Sequence, residues 1–65
     1  MLPHQQRVVD EKAELETKLV ALSRFISIGG VFETLDPAEK VRLRAQRNAM
    51  NEYHDILAER IAAFK

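Results

Sequence analysis

The chain has 65 residues, of which 46% are hydrophobic and 31% are charged, and it contains no cysteine. This length leaves no room for a second domain or for a self-contained enzyme of an ordinary kind, so we expect one domain in residues 1–65 with no catalytic residue, metal or cofactor. The ten basic and ten acidic residues cancel, so no net field draws the chain to nucleic acid or to an anionic membrane.

The first predicted element is a helix over about residues 4–27. Pro3 fits its first turn, where the missing N–H would have no partner, and Gly29 supplies the left-handed residue that ends a helix. Apolar side chains recur at spacings of four and three residues, which predicts one buried seam. The seam consists of Val8, Leu15, Leu19, Leu22 and Ile26, with Lys12 in one of its slots.

Residues 28–35 are predicted to connect this helix to a second one. Because the connection is short, the two helices must be antiparallel. Val31, Phe32 and Leu35 make it unusually apolar for a loop. We therefore expect it to fold back over the end of the hairpin or to contact another subunit.

The second helix is predicted over about residues 37–64. Asp36 is placed as its N-cap and Pro37 as its first helical residue, and Glu39 is placed to reach back as the acidic member of a capping box. The predicted seam of this helix consists of Leu43, Met50, Tyr53, Leu57 and Phe64, interrupted at Gln46 and Arg60.

The predicted fold is all-α: an antiparallel two-helix hairpin that assembles into a homo-oligomeric helical bundle. Burying one large side chain contributes ~1.5–3 kcal/mol, whereas ordering each residue costs ~1.5 kcal/mol, so a two-helix core is too small on its own. Apolar residues beside both seams are available to a second copy. They are Val9, Val20 and Phe25 on the first helix and Val41, Ala45, Ala49, Ile56, Ile61 and Ala63 on the second.

Charge is separated along the hairpin. Acidic residues cluster near the open end, where the two termini lie, and Lys40, Arg42, Arg44 and Arg47 cluster near the loop end. Antiparallel association of two hairpins would place each acidic end against a basic end, although exposed ion pairs contribute only ~0–1 kcal/mol each. We expect at least a homodimeric four-helix bundle.

Two groups of side chains are candidates for binding an anionic ligand. At the loop end, Lys40, Arg44 and Arg47 share one helix face near a helix N-terminus, where phosphates bind well, but the same face would equally suit the acidic end of a partner subunit. The adjoining segment mixes amide, guanidinium and aromatic groups that can stack on and hydrogen-bond a nucleobase. The loop-end candidates are Arg44, Arg47, Asn51, Tyr53 and His54.

At the open end, Lys12 and Arg60 interrupt the predicted seams, and Arg7 lies in the polar start of the first helix. Either their long stems pack along the seam while their charges meet Glu11, Asp55 or Glu59, or they line an anion pocket between subunits. The open-end candidates are Arg7, Lys12 and Arg60. Gln46, at a predicted seam position, either fixes the register of the assembly or faces a wet central pocket.

The pattern of the whole chain resembles a group of short helical-hairpin proteins of tailed bacteriophages. The resembling stretches are QRVVDEKAELETKLVALSRFI, VFETL and RLRAQRNAMNEYHDILAERIAAF. The group is similar to the hairpin-domain sponges with which phages counter cyclic-oligonucleotide (CBASS) and TIR-derived (Thoeris) immune signalling. The resemblance implies a symmetric oligomer that holds a cyclic nucleotide or a cyclic ADP-ribose-type signal between subunits without cleaving it.

The resemblance implies a phage-encoded anti-defence protein of the host-cell cytoplasm. A protein-interaction module that binds a host or phage protein, with no small-molecule ligand, is the alternative. No apolar run approaches the ~18 residues of a membrane span, so no membrane partner is expected. Nucleic acid is an unlikely partner because the basic patch is local and no helix-turn-helix spacing is present.

Overall fold

The computed structural model describes all 65 residues and is 86% helical, with no strand. Helix α1 spans Pro3–Ile28, the one-turn helix α2 spans Gly30–Glu33, and helix α3 spans Pro37–Ala62. α1 and α3 pack against each other along their length, which gives a rod of 47 × 15 × 14 Å. The all-α prediction with two long packed helices is confirmed. The helical turn α2 inside the connection was not predicted, and the second long helix ends at Ala62 rather than Phe64.

Local capping explains where the long helices begin and end. The Leu2 N–H donates to Gln5 Oε1 at 3.0 Å ahead of α1, and Gly29 ends α1 with a left-handed φ of 83°. At the start of α3, the Ala38 N–H donates to Asp36 Oδ2 at 3.1 Å. The predicted role of Glu39 in a capping box is wrong. Its Oε1 instead accepts a charge-assisted hydrogen bond of 2.8 Å from Arg42 Nε, one turn further along α3.

The seam of α1 is confirmed and the seam of α3 is corrected. Val8, Leu15 and Leu19 are buried, whereas Tyr53 keeps 41% of its surface exposed and both Gln46 and Arg60 are exposed. Starting at Leu43, every residue reached by alternating steps of four and three is buried or half-buried. Two of these residues are polar, so polar side chains lie inside the seam. The observed seam of α3 is Leu43, Arg47, Met50, His54, Leu57, Ile61 and Phe64.

The connection folds back over the end of the hairpin, which is one of the two arrangements expected from the sequence. Phe32 is 1% exposed, and the Phe25 ring meets it edge-on with centroids 6.1 Å apart. The Arg44 guanidinium lies 5.0 Å from the centroid of the Phe32 ring and the Lys40 ammonium lies 5.9 Å from it. An aromatic residue between two cations and a second ring thus closes the loop end.

The hairpin alone buries little. Five of its 65 residues are buried, and Val8, Leu15 and Leu57 form the central cluster, with Met50, Ile61 and Phe64 packed against it. The exposed surface is 4802 Å². A compact folded protein of this mass exposes about 4,250 Å². The excess surface comes from an elongated shape with one narrow core.

Candidate functional site

The candidate residues lie on an open rod. The hairpin encloses no pocket, and no group of three or more potential metal ligands is present. None of the three helices has the length and apolar character that a membrane crossing requires. The candidate residues therefore lie either on the outer surface or within the seam between α1 and α3.

The basic residues at the loop end differ in the groups that they contact. Lys40 Nζ lies 3.5 Å from Glu33 Oε2, so its charge is compensated within the chain. Arg44 forms no salt bridge, and its guanidinium is stacked over Phe32. Arg47 is half-buried in the seam, where its Nη2 donates to Asn48 Oδ1 at 3.3 Å. Arg44 is the member of this cluster whose charge remains free and exposed.

His54 connects α3 to α1. Its side chain is 22% exposed, with Nε2 3.7 Å from Glu16 Oε1 and Nδ1 3.9 Å from Asp55 Oδ1. Nε2 is buried and has no hydrogen-bond partner, because the Glu16 oxygen is too distant to accept. His54 is thus a polar residue inside the seam, facing an acidic side chain of the other long helix.

The five loop-end candidates do not converge on one place. Arg44, Arg47 and Asn51 follow i, i+3 and i+7 and share one side of α3 next to His54. Tyr53 is two residues from Asn51, and a step of two residues on a helix turns by about 200°. The exposed Tyr53 ring therefore belongs to the other side of α3 from the remaining four.

The three open-end candidates carry uncompensated charge. Arg7 and Arg60 are exposed and Lys12 is half-buried. None of the three forms a salt bridge, so the expected pairing of Lys12 or Arg60 with Glu11, Asp55 or Glu59 is not seen. Arg60 follows Tyr53 by seven residues, which places it on the same side of α3.

The sequence reasoning missed a row of side chains along α3 that we call the cationic edge. Its members recur at spacings of four and seven residues, and all four are exposed. Gln46 belongs to this row rather than to the seam. The spacing of this row is readable in the sequence, but Tyr53, Gln46 and Arg60 also fit the predicted seam, which conceals it. The cationic edge consists of Arg42, Gln46, Tyr53 and Arg60.

Comparison with known proteins places the chain in a family. Residues 2–63 match the family described as Sequestin. The chain belongs to the Sequestin family. It is 38% identical, over the full length of both chains, to the "uncharacterized 7.5 kDa protein in denB-rIIB intergenic region" of Enterobacteria phage T4. No solved structure matches it.

The Sequestin match and the phage relative support the predicted relation to small phage proteins. The family name denotes sequestration without stating what is sequestered.

Proposed function

We propose that this Sequestin-family chain is a phage-encoded anti-defence protein of the host cytoplasm. It binds and sequesters a nucleotide-derived immune signal, of the cyclic oligonucleotide or cyclic ADP-ribose type, without cleaving it, and it does so as a homo-oligomer. The family name and the phage relative support sequestration by a phage protein. The nature of the ligand rests on the side chains that the hairpin leaves exposed.

The observation that carries the proposal is the combination of free arginines with a rod that has no pocket. Arg7, Arg44 and Arg60 are exposed and form no salt bridge. Ligand sites for small molecules are concave and bury most of the ligand surface. Since one hairpin encloses no such site, a second copy would have to supply the other wall.

The exposed groups suit a nucleotide. Guanidinium groups bind phosphate bidentately, tyrosine stacks on a base, and the amides of Gln46 and Asn51 hydrogen-bond base edges. Sequestration requires these binding groups alone, with no nucleophile or general base.

Thermal unfolding with a ligand panel tests the proposal. The panel contains 3′,3′-cyclic di-GMP, 3′,3′-cyclic GMP-AMP and cyclic ADP-ribose, each at the same concentration. A ligand at a hundred times its Kd stabilises the protein by ~2.7 kcal/mol, which raises the Tm of so small a domain by about 10 °C or more. After heat denaturation, the bound ligand should be recovered chemically unchanged. An unmoved Tm across the panel, or recovery of a cleaved product, would contradict the proposal.

The alternative is a protein-interaction module. It is favoured by the large apolar side chains on the surface, among them Val41 at 63% and Ile56 at 48% exposure. If this alternative is correct, none of the ligands in the panel raises the Tm, and the chain forms a stoichiometric complex with a purified host or phage protein.

A further inference from the structure

The side of α3 opposite the seam carries exposed apolar residues together with Glu52, and it has no partner within the hairpin. Val41 and Ile56 are 63% and 48% exposed, and the alanines between and beyond them are exposed as well. The seam itself contains the polar residues Arg47 and His54. Two inner positions of α3 are therefore less apolar than the exposed Val41 and Ile56. We call this side the outward face; its apolar members are Val41, Ala45, Ala49, Ile56 and Ala63, and the exposed Glu52, seven residues after Ala45, lies among them.

The apolar residues of the outward face are complementary to themselves when turned by 180°, and Glu52 then comes within one residue of the level of the partner's Asn48. Ile56 and Ala45 lie equally far from the midpoint between Met50 and Asn51. In a two-fold antiparallel pair of helices, residues at equal distances from the axis face each other, so Ile56 of each copy would pack over Ala45 of the other. A parallel pair would set Ile56 against Ile56 and Ala45 against Ala45, which leaves a bulge and a hollow instead of close packing.

Charges at the two margins of that pair are unequal. On one margin, Arg44 comes to nearly the same level as Glu59 of the partner subunit, and the two charges are complementary. On the opposite margin, Arg42 comes to the level of the partner's Arg60, so two cations meet, and the acidic residue beside them is Glu39, which already pairs with Arg42. The first margin therefore stabilises the pair. At the second margin, an anion that bridges the two guanidinium groups would relieve the repulsion between them.

We propose that α3 packs antiparallel on α3 of a second copy through the outward face, and that Arg42 with the partner's Arg60 forms an anion site. Symmetry gives two such sites per dimer, and neither is complete within one chain. This inference deepens the proposed function, on which its ligand class rests: the anion is a phosphate group of the sequestered nucleotide.

The rest of the cationic edge fits the remainder of a nucleotide. The partner's Tyr53 lies two helical turns, about 11 Å, from the partner's Arg60, and Gln46 of the first chain lies between these levels on the opposite wall. Tyrosine would stack on the base while the glutamine amide hydrogen-bonds it. In the single chain Arg42 donates to Glu39 at 2.8 Å, so a bound phosphate competes with that exposed carboxylate.

Disulfide cross-linking tests the packing without any ligand. The chain has no cysteine, so single cysteines report only on the engineered positions. Mixing an A45C chain with an I56C chain should give a cross-linked heterodimer on oxidation, since a disulfide needs Cα atoms about 4.4–6.8 Å apart. Each variant alone should cross-link poorly. Efficient cross-linking of each variant to itself, with none in the mixture, would overturn the antiparallel geometry.

Mixed dimers test whether the site is shared. R42A and R60A homodimers each lose one guanidinium from both sites and should bind inorganic pyrophosphate about tenfold to a hundredfold more weakly. Equimolar mixing should restore about a quarter of the sites at full affinity, because half of the dimers are mixed and each has one intact site. K18A, which removes an exposed cation of α1, is the control and should bind as the unmodified chain does. A mixture that binds as weakly as the separate variants would overturn the shared site.

The same experiments separate this inference from the proposed function. Restored pyrophosphate sites in the mixture, together with no response to the nucleotide panel, would support the shared anion site and contradict the nucleotide ligand. Nucleotide binding that R42A and R60A leave unchanged would support the proposed function and contradict the shared site.

Discussion

The two sides of α3 differ in a way that separates folding of the hairpin from assembly. The inner side meets α1 with Leu57 at its centre but also holds Arg47 and His54. The outward face holds Val41, Ile56 and alanines around Glu52, with no side chain of its own hairpin over them. A helix whose only contact is one partner helix would keep its large apolar residues on the inner side, whereas α3 places Val41 and Ile56 outside and His54 inside.

In the proposed assembly, stability is divided between two contacts. Contacts in the seam fix α1 and α3 relative to each other. The polar residues within the seam make this contact less stabilising than a fully apolar one would be. The outward face supplies apolar area that only another molecule can bury.

A charge on the outward face should have the largest effect. Ile56→Asp would place a carboxylate against apolar side chains of the second copy, which is costly without a cation beside it. We expect loss of the oligomer and, with it, of helical circular dichroism at micromolar concentration. Val20→Asp is the matched control, since Val20 is 52% exposed on α1. Equal behaviour of the two variants would contradict a special role for the outward face.

A cavity on the inner side should cost less than loss of assembly. Leu57 is fully buried, so Leu57→Ala should lower the free energy of unfolding by about 2–5 kcal/mol. Urea titration at a fixed chain concentration measures this change. Leu22→Ala, at a half-buried position of the α1 seam, should cost less. If the two substitutions cost the same, Leu57 is not the centre of the core.

An apolar residue at the polar seam position should stabilise the hairpin. His54→Leu removes a buried Nε2 that has no hydrogen-bond partner and adds apolar contact, so we expect a gain of about 1 kcal/mol. Asn51→Leu, at an exposed position one turn away, should give no comparable gain. Destabilisation by His54→Leu would show instead that the approach of His54 to Glu16 matters more than apolar packing.

The helix cap should give the smallest effect, and it affects both sides of α3 equally. Asp36→Ala removes the acceptor of the Ala38 N–H and should cost about 1 kcal/mol. Glu39→Ala should cost about 0.5 kcal/mol or less, because its contact with Arg42 is an exposed pair within one helix. A larger loss for Glu39→Ala than for Asp36→Ala would restore the capping-box interpretation, in which Glu39 accepts from the N-cap backbone.

The sequence predicted the hairpin well because its strongest signals are local. Pro3, Gly29 and Asp36 mark helix ends through backbone chemistry that needs no tertiary context. The seam of α3 was harder to predict, because Tyr53 and His54 are neighbours and the more apolar Tyr53 is the residue expected at a buried position. Packing instead follows the four-and-three spacing from Leu43, which selects His54 and leaves Tyr53 outside.

The candidate site was predicted in its chemistry but not in its arrangement. Arginine, amide and tyrosine side chains are indeed exposed, yet Asn51 and Tyr53 lie on different sides of α3. The stacking of Arg44 on Phe32 depends on how the connection folds back, which spacing along the chain does not specify. Arg42 was grouped with the loop-end charges, whereas its row along α3 includes Arg60.

The proposed working unit is an assembly of hairpins joined through the outward face of α3. Multi-angle light scattering of the unmodified protein at micromolar concentration, with helical content recorded on the same sample, measures whether it forms. We expect a helical species of about twice the 7.5 kDa chain mass or a higher multiple, and loss of helix as dilution dissociates it. A fully helical monomer of 7.5 kDa would contradict it.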